Sequence, residues 1–276
     1  MNNKESTILK ITIYRLNVPL IKPYKLSYNT FHSFEPLLIQ ITDDKGKEGW
    51  GEQHISPGSS SETREGGWEF AKIISNLILN KTFLKAKDII LSHSSKSIVA
   101  SSALHTAIDM LEDHDALRKK DPIKLKLLTA FNADEEIEIR DELDKVTEQG
   151  FTTIKIKVGK NVSLDLKKIY TIQNNLNGRA KLRIDANRGY TRVEGCKFVA
   201  GLKPNFIELF EQPCHAQDWE ANEAVAKISS VPIMLDEPIC SVEDIKRASK
   251  IDGVGLCKLK LKRFVSISKL IESINY

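Results

Sequence analysis

TTIKIKVG (152–159), KLRIDAN (181–187), FIELFEQP (206–213) and VPIMLDEP (231–238) are four segments of one kind. Each is a short apolar run that turns charged near its end, just before loop-forming residues, which is the pattern of a buried strand. Between them lie SLDLKKIYTIQNNL, RVEGCKFVAGL and DWEANEAVAKI, all amphipathic at helical spacing. The pattern extends outward in both directions. LKLLTAF (125–131) and a helix through EEIEIRDELDKVTEQG come before; VEDIKRASKI, the strand VGLCKLKLK (254–262) and a partial helix come after. Six strand–helix units in line predict a parallel sheet with helices outside. Charge at the strand ends favours a (β/α) barrel over an open sheet. A complete TIM-type barrel takes about 250 residues, more than lie between 125 and 276. The expectation is therefore an α/β barrel with only about six of the eight βα units present.

The charges at the strand ends recur at regular steps. Lys157 to Asp185 is 28 residues, Asp185 to Glu211 is 26, Glu211 to Asp236 is 25 and Asp236 to Lys260 is 24. Taken singly, lysines alternating along a strand mark a solvated face, and an Asp after a strand is often the N-cap of the next helix. Jointly, each step is one βα unit. In a barrel this sets all five groups at one level, on consecutive strands, at the C-terminal mouth where barrel enzymes keep their active sites. Three carboxylates gathered there repel one another unless a hard cation joins them. An all-oxygen set suits Mg2+, with Mn2+ as the alternative.

Before residue 120 the texture differs. ILKITIYRL (8–16), PLLIQIT (36–42) and a strand after the turn DDKG read as a three-stranded antiparallel meander. Two helices follow, over 68–79 and 97–120, the second rich in small residues that allow close packing. ISPGSSSETREGG (55–67) is a surface loop or a lid over an active site.

The ordered set KxK, DAN, EQP, DE and a lysine on the sixth strand resembles the muconate-lactonizing subgroup of the enolase superfamily. ITIYRLNVPLIKPYKLSYNT and GWGEQHISPGSSSET are similar to that family's capping domain and substrate-covering loops. The resemblance implies an α+β capping domain over 1–120 and a partial barrel catalytic domain over 121–276. It implies that Asp185, Glu211 and Asp236 bind the metal and that Asn187 supports them. It makes Lys157 one acid/base. Lys155 would lie beside it, holding its pKa down and touching the substrate carboxylate. A sixth-strand lysine would face it as the second acid/base. Lys258, Lys260 and Lys262 share one strand parity. In the family the catalytic lysine precedes a Gly-Gly or Gly-Ser pair by five residues. Here that pair reads Val265-Ser266, which selects Lys260 with Lys258 in reserve. The missing glycine is a departure that puts the backbone at that mouth in question.

The implied chemistry is removal of a proton beside a carboxylate, giving an enediolate whose charge the metal stabilises. Opposed lysines suit a racemase or epimerase of an amino-acid or dipeptide derivative. The same residues would serve a cycloisomerase or lyase of the muconate cycloisomerase or o-succinylbenzoate synthase type. The alternative of another class is an inactive, truncated homologue. On that view the chain to Tyr276 is a cut piece, a chain completed by another polypeptide, or the product of a decayed gene, with open strand edges prone to aggregation.

The resemblance implies a small-molecule carboxylate as the partner, and composition argues against macromolecular ones. Formal net charge is +4 with no basic block, which argues against nucleic acid. No run approaches the ~18 apolar residues of a membrane span. Cys196, Cys214, Cys240 and Cys257 are scattered without CxxC spacing, as in a reducing cytoplasm. The six histidines show no metal-ligand spacing; only His32 and His54 fall where they could touch substrate. A homo-oligomer is compatible with the resemblance.

Overall fold

Leu37, Ile39 and Ile41 alternate with polar or half-buried neighbours, so one face of the segment must be covered. A computed structural model of the chain describes residues 5–25, 30–56, 61–118 and 121–276. In it, β1 (Ile8–Arg15) is followed by a hairpin of β2 (Val18–Lys25) and β3 (Thr30–Phe34), then by β4 (Leu37–Asp43) and β5 (Glu48–Gln53). β4 is the centre of an antiparallel sheet of order β1-β4-β5. The three expected strands are present, but the β2–β3 hairpin is interposed between the first two, a feature the meander reading missed. The DDKG turn forms because Asp43 Oδ1 accepts from the Lys45 and Lys47 amides at 2.9 and 2.8 Å.

Three helices cover this sheet: α1 (Arg64–Ile78), α2 (Phe83–His93) and α3 (Ile98–Leu111). α2 was not anticipated, although Phe83, Ala86 and Ile90 carry its buried stripe. α3 ends at Leu111 rather than near 120, because Asp113 turns the chain with φ 53°. Its small residues let it lie directly on β5. A Cβ added at Gly51 would sit 1.9 Å from the Ala103 carbonyl oxygen, so only glycine permits this approach. Inside this unit, buried Asp109 is bonded to His105 Nδ1 at 3.0 Å and ion-paired with Lys87 at 2.6 Å. Burial pushes the Asp109 carboxyl up, but His105 and Lys87 outweigh it and the net shift is downward.

The boundary expected near residue 120 falls at 119–120, outside the described residues. Beyond it the chain alternates: β6 (Thr129–Phe131), α4 (Glu136–Glu148), β7 (Thr153–Lys157), α5 (Val162–Leu176), β8 (Lys181–Asp185), α6 (Arg192–Gly201), β9 (Ile207–Glu211), α7 (Trp219–Ile228), β10 (Ile233–Leu235), α8 (Val242–Ala248) and β11 (Val254–Cys257). Two helices close the series, α9 (Leu261–Phe264) and α10 (Ile267–Asn275). The six strands pair in parallel, in sequential order from β6 to β11. Sequential order with crossovers of one hand puts every helix on one face and leaves the other facing inward, as in a barrel. Ile154, Ile156, Leu182, Ile184, Phe210, Ile233 and Leu235 pack against the helices.

Two strand readings need correcting. Only 129–131 of LKLLTAF is strand; Leu125 and Leu127 are 72% and 70% exposed. Among the described residues β6 pairs with β7 alone, and no strand on its other side orders those residues. The sixth strand stops at Cys257; Lys258 adds one further ladder bond, from its amide to the Leu235 carbonyl at 2.8 Å, and a helix starts at Leu261. The shared strand parity of the three lysines therefore does not hold, and Lys262 belongs to α9.

Candidate active site

Strand parity places the charged residues. With Ile154 and Ile156 turned to the helices, Lys155 and Lys157 take the inward face of β7. Register aligns Lys157 with Asp185, Asp185 with Glu211, and Glu211 with Met234. Asp236 lies two residues beyond Met234, at the strand end. The three carboxylates are buried, at 1%, 3% and 1% exposure for Asp185, Glu211 and Asp236. The loops after β7 and β8 are drawn together by glycine: a Cβ at Gly189 would meet the Gly159 oxygen at 2.4 Å.

Buried carboxylates need compensation, and a row of cations supplies it. Lys157 Nζ reaches Asp185 Oδ2 at 2.7 Å and Asn187 Oδ1 at 2.6 Å. Lys155 Nζ bridges Asp185 and Glu211 at 2.7 and 2.6 Å. Lys258 reaches the other oxygen of Glu211 at 2.8 Å. At the far end Asp236 takes Lys260 on Oδ2 and Arg263 on Oδ1, both at 2.8 Å. Lys157 and Lys260 thus stand at opposite ends of the row, with Lys155 and Lys258 between them on Glu211. Asn187 donates its backbone N–H to Asp185 Oδ1 at 2.8 Å, so it touches both the carboxylate and Lys157.

The charges are mutually stabilised. Burial pushes Asp236 up, but Lys260, Arg263 and Lys258 pull it down to about 2. Asp185 is lowered in the same way by Lys155 and Lys157. Lys155 is pushed well above the ordinary lysine range, since Asp185 and Glu211 outweigh its burial, so it is a fixed cation. Lys258 moves the other way, lowered by burial and by Lys155. Lys262 is lowered by burial, Lys260 and Arg263.

Several participants were not legible in the sequence. Tyr24, on the β2–β3 hairpin, is 40% exposed; its partial burial raises the hydroxyl pKa, and Lys155, Asp185, Lys260 and Glu211 act on it, which puts this residue within electrostatic reach of the row. Tyr24 meets Phe34 edge-on at 6.1 Å, and Phe34 lies 4.9 Å from the His54 ring. His54 thus belongs to an aromatic cluster, whereas His32 is exposed. The buried Gln212 amide ties strand ends together, its Oε1 accepting from the Asp236 N–H at 2.8 Å. Of the loop read as a lid, 57–60 lie outside the described residues, and Glu62 accepts from the Ser97 hydroxyl at 2.5 Å at the start of α3. A cleft of about 500 Å³ opens beside Lys157, between Asn132 and the first turns of α5.

Comparison with known proteins decides the family. The family described as "Enolase C-terminal domain-like" matches residues 138–275. An L-Ala-D/L-Glu epimerase from Clostridium acetobutylicum is 32% identical, over 93% of this chain and 75% of that protein. The chain belongs to the enolase superfamily. Muconate cycloisomerase 1 from Rhodococcus opacus is also similar, at 25% identity over 95% of this chain and 74% of its own length. The fold matches the crystal structure of a dipeptide epimerase from Cytophaga hutchinsonii complexed with Mg and D-Ala-L-Val. That match has TM-score 0.87 and 23% identity, and covers 98% of this chain and 76% of the other. The chain is thus one of the superfamily's isomerases by descent.

Superfamily membership implies a divalent metal, and the chemistry of three buried carboxylates, Asp185, Glu211 and Asp236, suits one. Among the described residues no three Asp, Glu, His or Cys groups sit at the spacing of a single ion. The Lys155 ammonium lies between Asp185 and Glu211 and neutralises both. The expected convergence of all three carboxylates on one ion is not seen in this arrangement: Lys155 ties Asp185 to Glu211, and Asp236 is paired with Lys260 and Arg263.

The departure at Val265-Ser266 also has a structural answer. Val265 adopts φ 64°, ψ −50°, and the Ser266 N–H donates to the Phe264 carbonyl at 2.7 Å, closing a γ-turn in the region glycine favours. A β-branched residue there is strained, and burial of Val265 in the capping-domain core holds it in place. This predicts an inverted substitution order. Val265→Gly loses one carbon more than Val265→Ala, worth ~0.8 kcal/mol, but relieves roughly 1–2 kcal/mol of left-handed strain. Urea denaturation should find Val265→Gly as stable as Val265→Ala or more so. A glycine variant lower by about 1 kcal/mol, the order of an ordinary position, would show no strain at this turn.

Proposed function

We propose that this chain epimerises a carbon next to a carboxylate in a dipeptide or N-acyl amino acid, with Mg2+ or Mn2+ held by Asp185, Glu211 and Asp236. The observation that carries the reading is the placement of Lys157 and Lys260 at opposite ends of the carboxylate row. A neutral Lys157 amine takes the α-proton, and the bonding pair stays on the substrate as an enediolate. The Lys260 ammonium returns a proton to the same carbon from the other face. Atoms balance: the product differs from the substrate only in configuration, and the two lysines exchange protonation states, which solvent resets. The bound cation would supply positive charge to the two oxygens as they become anionic. Lys155, a fixed ammonium on the same face as Lys157, serves the substrate carboxylate. Lys260 is preferred to Lys258 because Lys258 shares Glu211 with Lys155 in the middle of the row.

The same residues could drive cycloisomerisation. The relative at 32% identity is an epimerase and the cycloisomerase stands at 25%, which favours epimerisation of a dipeptide. The four free cysteines suit a reducing compartment such as the cytoplasm, and no helix among the described residues is long and apolar enough to cross a membrane.

The test is solvent-deuterium exchange. The chain is incubated in D2O with Mg2+ and a dipeptide library that includes L-Ala-L-Glu and L-Ala-D-Glu, and α-deuterium is read by NMR. Exchange accompanied by inversion supports the proposal. No exchange in any dipeptide, or conversion only of lactone or β-elimination substrates, overturns it.

A further inference from the structure

We propose that Arg263 is a positioning residue that clamps Asp236 and so presents Oδ2 to the metal; this rests on the metal-dependent reading above. Asp236 is gripped on three sides. Its N–H donates to Gln212 Oε1 at 2.8 Å. Its main-chain carbonyl and its Oδ1 both accept from Arg263 Nη1, the latter at 2.8 Å. One guanidinium thereby fixes the side-chain torsion relative to the backbone of the same residue. Among the described residues, the remaining oxygen, Oδ2, is bonded by Lys260 alone.

Arg263 could instead be read as a cation competing with the metal, but its contacts argue otherwise. A competitor sits between carboxylates, as Lys155 does between Asp185 and Glu211. Among the described residues, the carboxylate Arg263 pairs with is Asp236 alone, on the oxygen Lys260 does not take. The guanidinium is also delivered from an anchored backbone. The Arg263 N–H donates to the Lys260 carbonyl at 2.9 Å. The next two residues are both buried, Phe264 in the core beneath the parallel sheet and Val265 in the capping-domain core. Arg263 is itself 13% exposed and cannot lose its proton, so the clamp is permanent. Outer partners of this kind orient ligating carboxylates, and their loss typically costs 10–100-fold in metal affinity.

Mn2+ affinity, measured by titration with EPR detection of free ion, tests the clamp without relying on turnover. Arg263→Met should weaken Mn2+ binding by about 10–100-fold. Arg263→Lys, which can still place a charged donor on Oδ1, should recover most of the loss; a merely structural role would not separate the two. Arg263→Gln replaces the Met variant if circular dichroism shows that one unfolded. Unchanged or tighter binding in the Met or Gln variant overturns the clamp. Asp185→Asn is the control. If the unaltered chain binds Mn2+ and Asp185→Asn does not, the metal reading stands whatever Arg263 does. If the unaltered chain binds no Mn2+, the metal reading itself falls and takes the clamp with it.

Discussion

Asp185→Asn is expected to abolish detectable Mn2+ binding and to lower α-proton exchange by about 10³-fold or more, the scale of losing a main electrostatic stabiliser of an oxyanion. Asp185 is 1% exposed and holds both Lys155 and Lys157 at 2.7 Å. Replacing it removes a proposed ligand, leaves Lys157 without its carboxylate and leaves Lys155 with Glu211 alone. Even without metal the variant should therefore lose about 3 kcal/mol of unfolding free energy, as when one partner of a buried ion pair is deleted. Urea denaturation in EDTA isolates that part, and Mn2+ titration with deuterium exchange isolates the rest. A variant as stable as the parent in EDTA would mean that the lysines find other partners. One that exchanges at the parental rate would exclude Asp185 from the chemistry.

Lys157→Met and Lys260→Met should each reduce epimerisation by about 10²–10⁴-fold, the range for a lost general acid or base. Their residual activities should differ in kind. The two amines flank the row from opposite ends, so each serves one face of the α-carbon. Lys157→Met should still exchange the α-proton of the epimer that Lys260 deprotonates, and Lys260→Met that of the other epimer. Proton NMR of the two pure epimers in D2O reads this directly. Lys258→Met tests the choice of second base: it should leave face-specific exchange in both epimers. If Lys258→Met instead silences one epimer while Lys260→Met silences neither, the second base is Lys258. Loss of exchange in both epimers from either single variant would mean that one lysine serves both faces.

Much of the site could be read without coordinates. A strand directs alternate side chains to opposite faces, so KxK in 152–159 must send Lys155 and Lys157 the same way. A βα unit has a nearly fixed length, so carboxylates about one unit apart must share a level; the register of Lys157, Asp185 and Glu211 obeys this. At β11 the rule failed. The strand ends at Cys257, and α9 removes Lys262 from the series that parity had suggested. No local pattern announces where a strand gives way to a helix so close to its end. Tyr24 arrives from the hairpin, Gln212 reaches across to Asp236, and Arg263 folds back 27 residues to the same aspartate.

The sequence by itself determined the six-unit parallel architecture, the capping sheet and the identity of the three carboxylates, because periodicity and spacing are properties of the chain read locally. Tertiary structure alone decided which cation meets which carboxylate, that Lys155 bridges two of them, that Arg263 shares Asp236 with Lys260, and that Val265 is held in a glycine-like turn between two cores. Those outcomes depend on distances between residues tens of positions apart. Such distances are set by how whole elements pack, and packing answers to burial and charge compensation across the molecule rather than to any neighbouring residue.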